Sequence, residues 1–210
     1  MDKFKKVLKD IYFSFVWLML LMFAFDLISK WIIEKNVSLG QSIAVIPNFF
    51  EITKSYNVGM AFSIGANGEL HWRIIFIAIS VIFSAALIWY YIKKFSKLGT
   101  WKKVALSLMI AGAIGNLIDR AFYWKAITGF DGVIDFLQFY IFGYPFATFN
   151  IADASLVVGV FILIILLIIE MIKEAKEKAK RGEYKMTTEE YFEKLKEEEN
   201  KNSNEEDNNK

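Results

Sequence analysis

The 210-residue sequence predicts an all-α membrane protein: four transmembrane helices with a small extracytoplasmic β-sheet and an interfacial segment. Three observations predict it. Hydrophobic residues are 55% of the chain and aromatics 17%, too apolar for a soluble domain of this size. The apolar residues gather in four runs long enough to cross about 30 Å of hydrocarbon at about 1.5 Å per residue. Lysines crowd particular ends of those runs, as they do on the cytoplasmic side of membrane proteins.

The first span covers residues 11–33 and follows Lys3, Lys5, Lys6 and Lys9. A cleavable leader has a shorter apolar region and a small-x-small site; this run continues into Asp26, Lys30 and Trp31, so it reads as a retained span. The second to fourth spans cover residues 72–92, 104–120 and 151–172. Lys93, Lys94, Lys97, Lys102 and Lys103 fill the link between the second and third, and Lys173, Lys176, Lys178, Lys180 and Arg181 follow the fourth. Both termini and the 93–103 link are therefore expected in the cytoplasm. Trp31, Trp72, Trp89, Trp101 and Trp124 fall near span ends, where aromatic anchors belong.

This topology places residues 34–71 and 121–149 outside. Ser42–Ile46 and Phe49–Thr53 flank Pro47-Asn48 and read as short strands around a turn. The aromatic stretch Phe136–Phe146 is too short to span and is expected at the membrane interface. Residues 1–173 form one four-span domain; residues 174–210, with 9 basic and 12 acidic side chains, read as a solvated cytoplasmic tail, disordered or partly helical. Within it, Thr187 and Glu190 suit the cap of a short helix through Lys196.

Ionisable residues at membrane depth are costly and usually mark a site. Asp26 and Asp119 each lie 15 residues into outward-going spans, roughly 22 Å from the cytoplasmic boundary. Asn116 and Asp119 are three apart, as are Asn150 and Asp153, so each pair shares one helix face. With Asn57 and Asp135 in the outer loops, the polar groups converge near the outer leaflet. The structural alternative makes Asp26 and Lys30 an i,i+4 pair, neutralises Asp119 with Arg120 or Arg73, and makes Asn150 a helix cap. Three carboxylates, Asp119, Asp135 and Asp153, nevertheless exceed the nearby cations, and two close carboxylates that cannot both ionise provide an acid and a base.

Other chemistries are poorly supplied. There is no cysteine and a single histidine, His71, which leaves no thiolate site and little for a metal. Neither a Gly-x-Ser-x-Gly nor a His-Glu-x-x-His motif occurs. Ser29 and Lys30 are adjacent on a helix and point about 100° apart, unsuited to a dyad. Gly112 and Gly115 read as helix-packing positions.

Five short motifs occur in one order: Asp26-Leu-Ile-Ser-Lys30, Tyr56-Asn57-Val-Gly59-Met-Ala61-Phe62, Gly115-Asn116-Leu-Ile-Asp119-Arg120, Val133-Ile-Asp135-Phe136 and Phe149-Asn150-Ile-Ala152-Asp153. In these the chain resembles the lipoprotein signal peptidases, or signal peptidases II, aspartyl proteases of the bacterial cell membrane. The resemblance implies cleavage of a prolipoprotein signal peptide just before its diacylglyceryl-modified cysteine. It implies a catalytic pair, Asp135 and Asp153, with Asp26, Lys30, Asn57, Gly59, Asn116, Asp119, Arg120, Asn150 and Ala152 supporting the site or holding substrate and the antibiotic globomycin. It further implies no metal or organic cofactor, contact with membrane lipids, no nucleic acid, and a monomer. Asp119 is expected to be oriented by Arg120.

The 16 residues from Asp119 to Asp135 are a long interval for the family and contain a second acid, Asp131, as a competing partner for Asp153. Val133 and Phe136 around Asp135 favour Asp135. The alternative from another class is a small four-helix transporter that uses its acids as a proton relay.

Overall fold

The computed structural model describes residues 14–57, 70–122 and 132–181, together with Glu193 and Lys196. Gly59, Ala61, Trp124, Asp131, the leading lysines and the expected Thr187 cap lie outside the described residues. The elements run α1 (Val16–Asn36), β1 (Ser42–Ile46), β2 (Phe50–Asn57), α2 (Leu70–Lys94), a 3-10 turn (Phe95–Lys97), α3 (Thr100–Phe122), β3 (Val133–Ile141), β4 (Tyr144–Pro145) and α4 (Ile151–Lys180). The chain divides into two compact units, Met1–Leu166 and Leu167–Lys210. In the second, the end of α4 carries an exposed Lys178–Glu174 pair at 2.6 Å, one helical turn apart.

All four α-helices are long and apolar enough to cross a membrane, and they coincide with the four predicted spans. Their roles differ. In α3, 61% of the most apolar stretch is buried, against 17% in α1 and α2 and 11% in α4. Thus α3 is the hub of the bundle, and it is the least apolar of the four. A helix that faces protein can carry Ser, Gly and Asn; one that faces lipid must be apolar all round its outer surface. Leu20 and Leu21 on α1, Ile82 on α2 and Phe161 on α4 are exposed accordingly.

Small residues bring α3 and α4 together. A Cβ on Gly112 would stand 2.3 Å from the Ala152 carbonyl oxygen, and one on Gly159 would stand 2.6 Å from the Ala105 carbonyl oxygen. Both backbones approach as closely as a missing side chain allows. Farther along, Tyr91, Leu106, Met109 and Ile110 form a buried cluster, joined by Met19, Leu156 and Val160.

The strands make one antiparallel sheet in the order β1-β2-β3-β4. β1 occupies Ser42–Ile46, the residues expected from sequence, and the turn at Pro47-Asn48 closes through the Phe49 amide donating to the Ile46 carbonyl at 3.1 Å. Asn48 takes φ 60°, a left-handed conformation that asparagine tolerates. The aromatic stretch expected at the interface supplies β3 and β4. Both faces of β3 begin buried, Val133 to Phe136 in succession, so no apolar-polar alternation announced it. Ile134 and Phe136 pack with Ile33 and Val37 at the end of α1, seating the sheet on the first helix.

Candidate active site

Two polar layers meet where the helices reach the sheet. The deeper is a charge cluster. On α1, Lys30 lies one turn beyond Asp26 and its Nζ is 2.7 Å from Asp26 Oδ2. The same ammonium lies 2.6 Å from Asp119 Oδ2 on α3. All three side chains are at most 1% exposed. Asp26 Oδ1 accepts the Ala152 backbone N–H of α4 at 2.8 Å, so one carboxylate ties the first turn of α4 to α1. Gly115 makes the room: a Cβ there would meet Asp26 Oδ2 at 2.7 Å and the Ala152 Cβ at 3.0 Å. Ser29 Oγ donates to the Asp26 carbonyl at 2.8 Å, apart from the Lys30 ammonium.

Lys30 thus meets Asp119 at 2.6 Å, in addition to the Arg120 or Arg73 that the sequence offered. An i,i+4 pair with Asp26 was legible; the second carboxylate on the same ammonium depends on how α1 and α3 pack, which local spacing does not encode. Arg73 on α2 also takes an unexpected place: its Nε donates to the Arg120 carbonyl at 3.0 Å, holding one of the last carbonyls of α3. Arg120 is half-buried, and its guanidinium interacts electrostatically with Asp153, Asp135 and Asp119.

The second layer is built of amides and carboxylates. Asn150 caps α4 in a reciprocal box: its Oδ1 accepts the Asp153 N–H at 2.9 Å, and Asp153 Oδ2 accepts the Asn150 N–H at 3.2 Å. This satisfies otherwise unpaired donors of the first turn. The Asn150 side-chain amide donates to Asp135 Oδ1 at 2.7 Å and to Asn116 Oδ1 at 3.2 Å. Asn116 Nδ2 donates to Asp153 Oδ1 at 2.6 Å. On the other side, Asn57 Nδ2 donates to Asp135 Oδ2 at 3.0 Å. A fully buried Asn150 therefore bridges Asp135 on β3 to Asp153 on α4. The helix cap foreseen for Asn150 is present.

Asp135 is 2% exposed. Burial, reinforced by the charge of Asp153, pushes its carboxyl up from 3.8 to about 7, against the lowering effect of the Asn57 and Asn150 amides and of Lys30. Such a group exchanges a proton at neutral pH and can act as acid or base. Asp153 and Asn57 face a cavity of about 420 Å³, whose other walls include Asn116, Arg120, Ile79, Phe83 and Leu156. Its lining combines polar and charged side chains with apolar ones. Among the described residues no cluster of His, Asp or Glu forms a metal-binding group.

The structure thus brings together Asp26, Lys30, Asn57, Asn116, Asp119, Arg120, Asp135, Asn150, Ala152 and Asp153. The sequence reading missed the buried Lys54 of β2 and its partner Glu34. A lysine in a strand that must bury one face was the available signal.

Known proteins resemble this chain in sequence and in fold. A family profile described as signal peptidase (SPase) II matches residues 18–169. The lipoprotein signal peptidase of Bacillus subtilis (strain 168) is 41% identical over 158 residues, covering 75% of this chain and 95% of its own. A solved bacterial membrane enzyme, determined by the in meso method at 2.3 Å resolution, superposes with TM-score 0.59 at 35% identity, over 80% of this chain and 92% of its own. A second, at 1.9 Å resolution, also gives 0.59, at 37% identity over 71% and 88%. The chain belongs to the signal peptidase II family.

Proposed function

We propose that this protein is an aspartyl endopeptidase of the bacterial cell membrane that removes signal peptides from prolipoproteins, cutting before the diacylglyceryl-modified cysteine with Asp135 and Asp153 as the reacting pair. The observation that carries the reading is the buried Asn150, whose side-chain amide donates to the Asp135 carboxyl and whose backbone N–H donates to that of Asp153, with the Asp135 carboxyl raised to about 7.

In this mechanism Asp135 holds the shared proton and Asp153, in the first turn of α4, carries the charge, a position that the helix dipole favours for an anion. Asp153 takes a proton from water as the oxygen attacks the scissile carbonyl carbon, while Asp135 gives its proton to the carbonyl oxygen. The tetrahedral diol then collapses: the C–N bond breaks, the amide nitrogen leaves with a proton from Asp153, and Asp135 recovers its own. The products are a signal peptide carboxylate and a lipoprotein with a free α-amino group. The apparent pKa values belong to the pair. Asn57, Asn116 and Asn150 keep the two carboxyls oriented throughout, and the apolar walls around Ile79, Phe83 and Leu156 suit the signal helix or the acyl chains.

The lysine distribution supports cytoplasmic termini and a site near the outer leaflet, where the acyl chains of such a substrate lie. A proton-relay transporter is not favoured. It needs acids strung across the bilayer, whereas the fully buried ionisable groups of the described spans, Asp26, Lys30 and Asp119, form one cluster.

The test is incubation of the purified protein with a diacylglyceryl prolipoprotein in detergent, read by mass spectrometry. The expected product begins at the lipidated cysteine, globomycin suppresses it, and the unlipidated precursor is left intact. Equal cleavage of the unlipidated precursor would contradict the reading.

A further inference from the structure

We propose that Glu34, Lys54 and Tyr56 form a positioning clasp that aims Asn57 at Asp135; the inference rests on the reading of Asp135 as one of the reacting acids.

The clasp begins with an irregularity in β2. Ile52 pairs with Leu137 and Ser55 with Asp135, so Thr53 and Lys54 together oppose Phe136. This is a β-bulge, a device that re-aims side chains beside functional sites. Alternation fails there, and the consecutive residues Thr53 and Lys54 are both buried. Beyond the bulge, Ser55 and Asn57 pair with Asp135 and Val133 and share their face of the sheet. Tyr56 turns to the opposite face, with Ile134 and Phe136 against the end of α1. Since a shift of one residue moves every side chain to the other face, the extra residue is what gives Asn57 and Asp135 a common face.

The bulge is held by charge. Lys54 Nζ lies 2.9 Å from Glu34 Oε2 and donates to the Glu34 carbonyl at 3.0 Å. Tyr56 donates its hydroxyl to the same Glu34 Oε2 at 2.7 Å, and its ring centroid is 5.6 Å from the ammonium. Thr53 Oγ1 donates to the Gln41 carbonyl at 3.0 Å. Apolar side chains of similar size would join strand to helix at least as firmly as a buried ion pair; the ion pair adds a single permitted geometry. That geometry ends one residue before Asn57, whose backbone also rests against Gly132, where a Cβ would stand 2.6 Å from the Asn57 carbonyl carbon. Glycine at φ 113° is needed there.

A loosened clasp weakens the Asn57 donation to Asp135. That donation lowers the Asp135 pKa, while burial and Asp153 on α4 raise it; Lys30 on α1 lowers it, and Arg120 on α3 also interacts with this carboxyl. Losing one stabiliser of the anion moves its titration to higher pH.

The experiment measures kcat, KM and their pH dependence on a diacylglyceryl prolipoprotein for Tyr56→Phe, which removes one hydroxyl, and Glu34→Gln. Expected are a kcat about tenfold lower, as for a strained charge-assisted hydrogen bond, a KM within about twofold of the parent, and an alkaline limb displaced upward. Added to Asn57→Ala, neither substitution lowers kcat further, because both act through that residue. Parental kcat and pH profile in Tyr56→Phe would overturn the clasp, as would a full additional loss in the Asn57→Ala background. If Glu34→Gln fails to accumulate, Tyr56→Phe carries the test. Full activity in Asp135→Asn would instead sink the dyad assignment, whatever the clasp variants do.

Discussion

The proton on Asp135 makes stability depend on pH in a way that one substitution isolates. The folded protein raises this carboxyl from 3.8 to about 7, so between those values the native state binds a proton that the unfolded state has released. A raised folded pKa contributes stability that is fully present below about 3.8 and is lost as pH rises through about 7. The displacement, at about 1.4 kcal/mol per pH unit, corresponds to on the order of 4 kcal/mol. Asp135→Asn cannot ionise, so its stability lacks this component while every other titrating group stays common to both proteins. It also alters one hydrogen bond from Asn57 or Asn150, which gives an offset that does not vary with pH. The assay is denaturant or thermal unfolding of parent and variant in the same detergent from pH 4 to pH 9. The parent should lose stability relative to Asp135→Asn up to about pH 7, and the difference should then level off. Curves that stay parallel over the whole range would refute the buried, proton-holding Asp135.

Two further perturbations follow from the same network. Asn150→Ala removes the α4 cap and the bridge between the acids, costing about 2 kcal/mol of stability. It should lower kcat by more than the parent loses when destabilised equally by mild denaturant, a comparison that steady-state assays can make. Asp26→Ala leaves Lys30 with one carboxylate and orphans the Ala152 N–H, at a cost of about 3–5 kcal/mol for a broken buried pair; unchanged melting with unchanged substrate affinity would contradict its supporting role.

Much of this was legible because the bilayer imposes strict rules. Four apolar runs had to be helices, and Asp26, Asp119 and Asp153 stood out because such residues are rarely placed there without partners. Spacing of three residues put Asn116 with Asp119 and Asn150 with Asp153 on shared faces, and the reciprocal Asn150–Asp153 cap follows from local geometry alone. What was hidden depended on contacts between distant elements. Lys30 meets Asp119 only because Gly115 lets α1 and α4 close on α3. β3 was concealed because its two faces pack on different partners, Ile134 and Phe136 on α1 and Asp135 on the amide network. The bulge at Thr53-Lys54 replaces the alternation by which a strand is recognised, and with it hid the Glu34 partner of Lys54.

The central claim is that Asp135 and Asp153 perform the cleavage. The most direct measurement is turnover of a diacylglyceryl prolipoprotein by Asp135→Asn, Asp153→Asn and Asp131→Asn, each purified from membranes in which it accumulates like the parent. The account predicts no product from the first two and near-parental turnover from the third. Substantial turnover by Asp135→Asn, with loss in Asp131→Asn, would contradict it and move the dyad to Asp131.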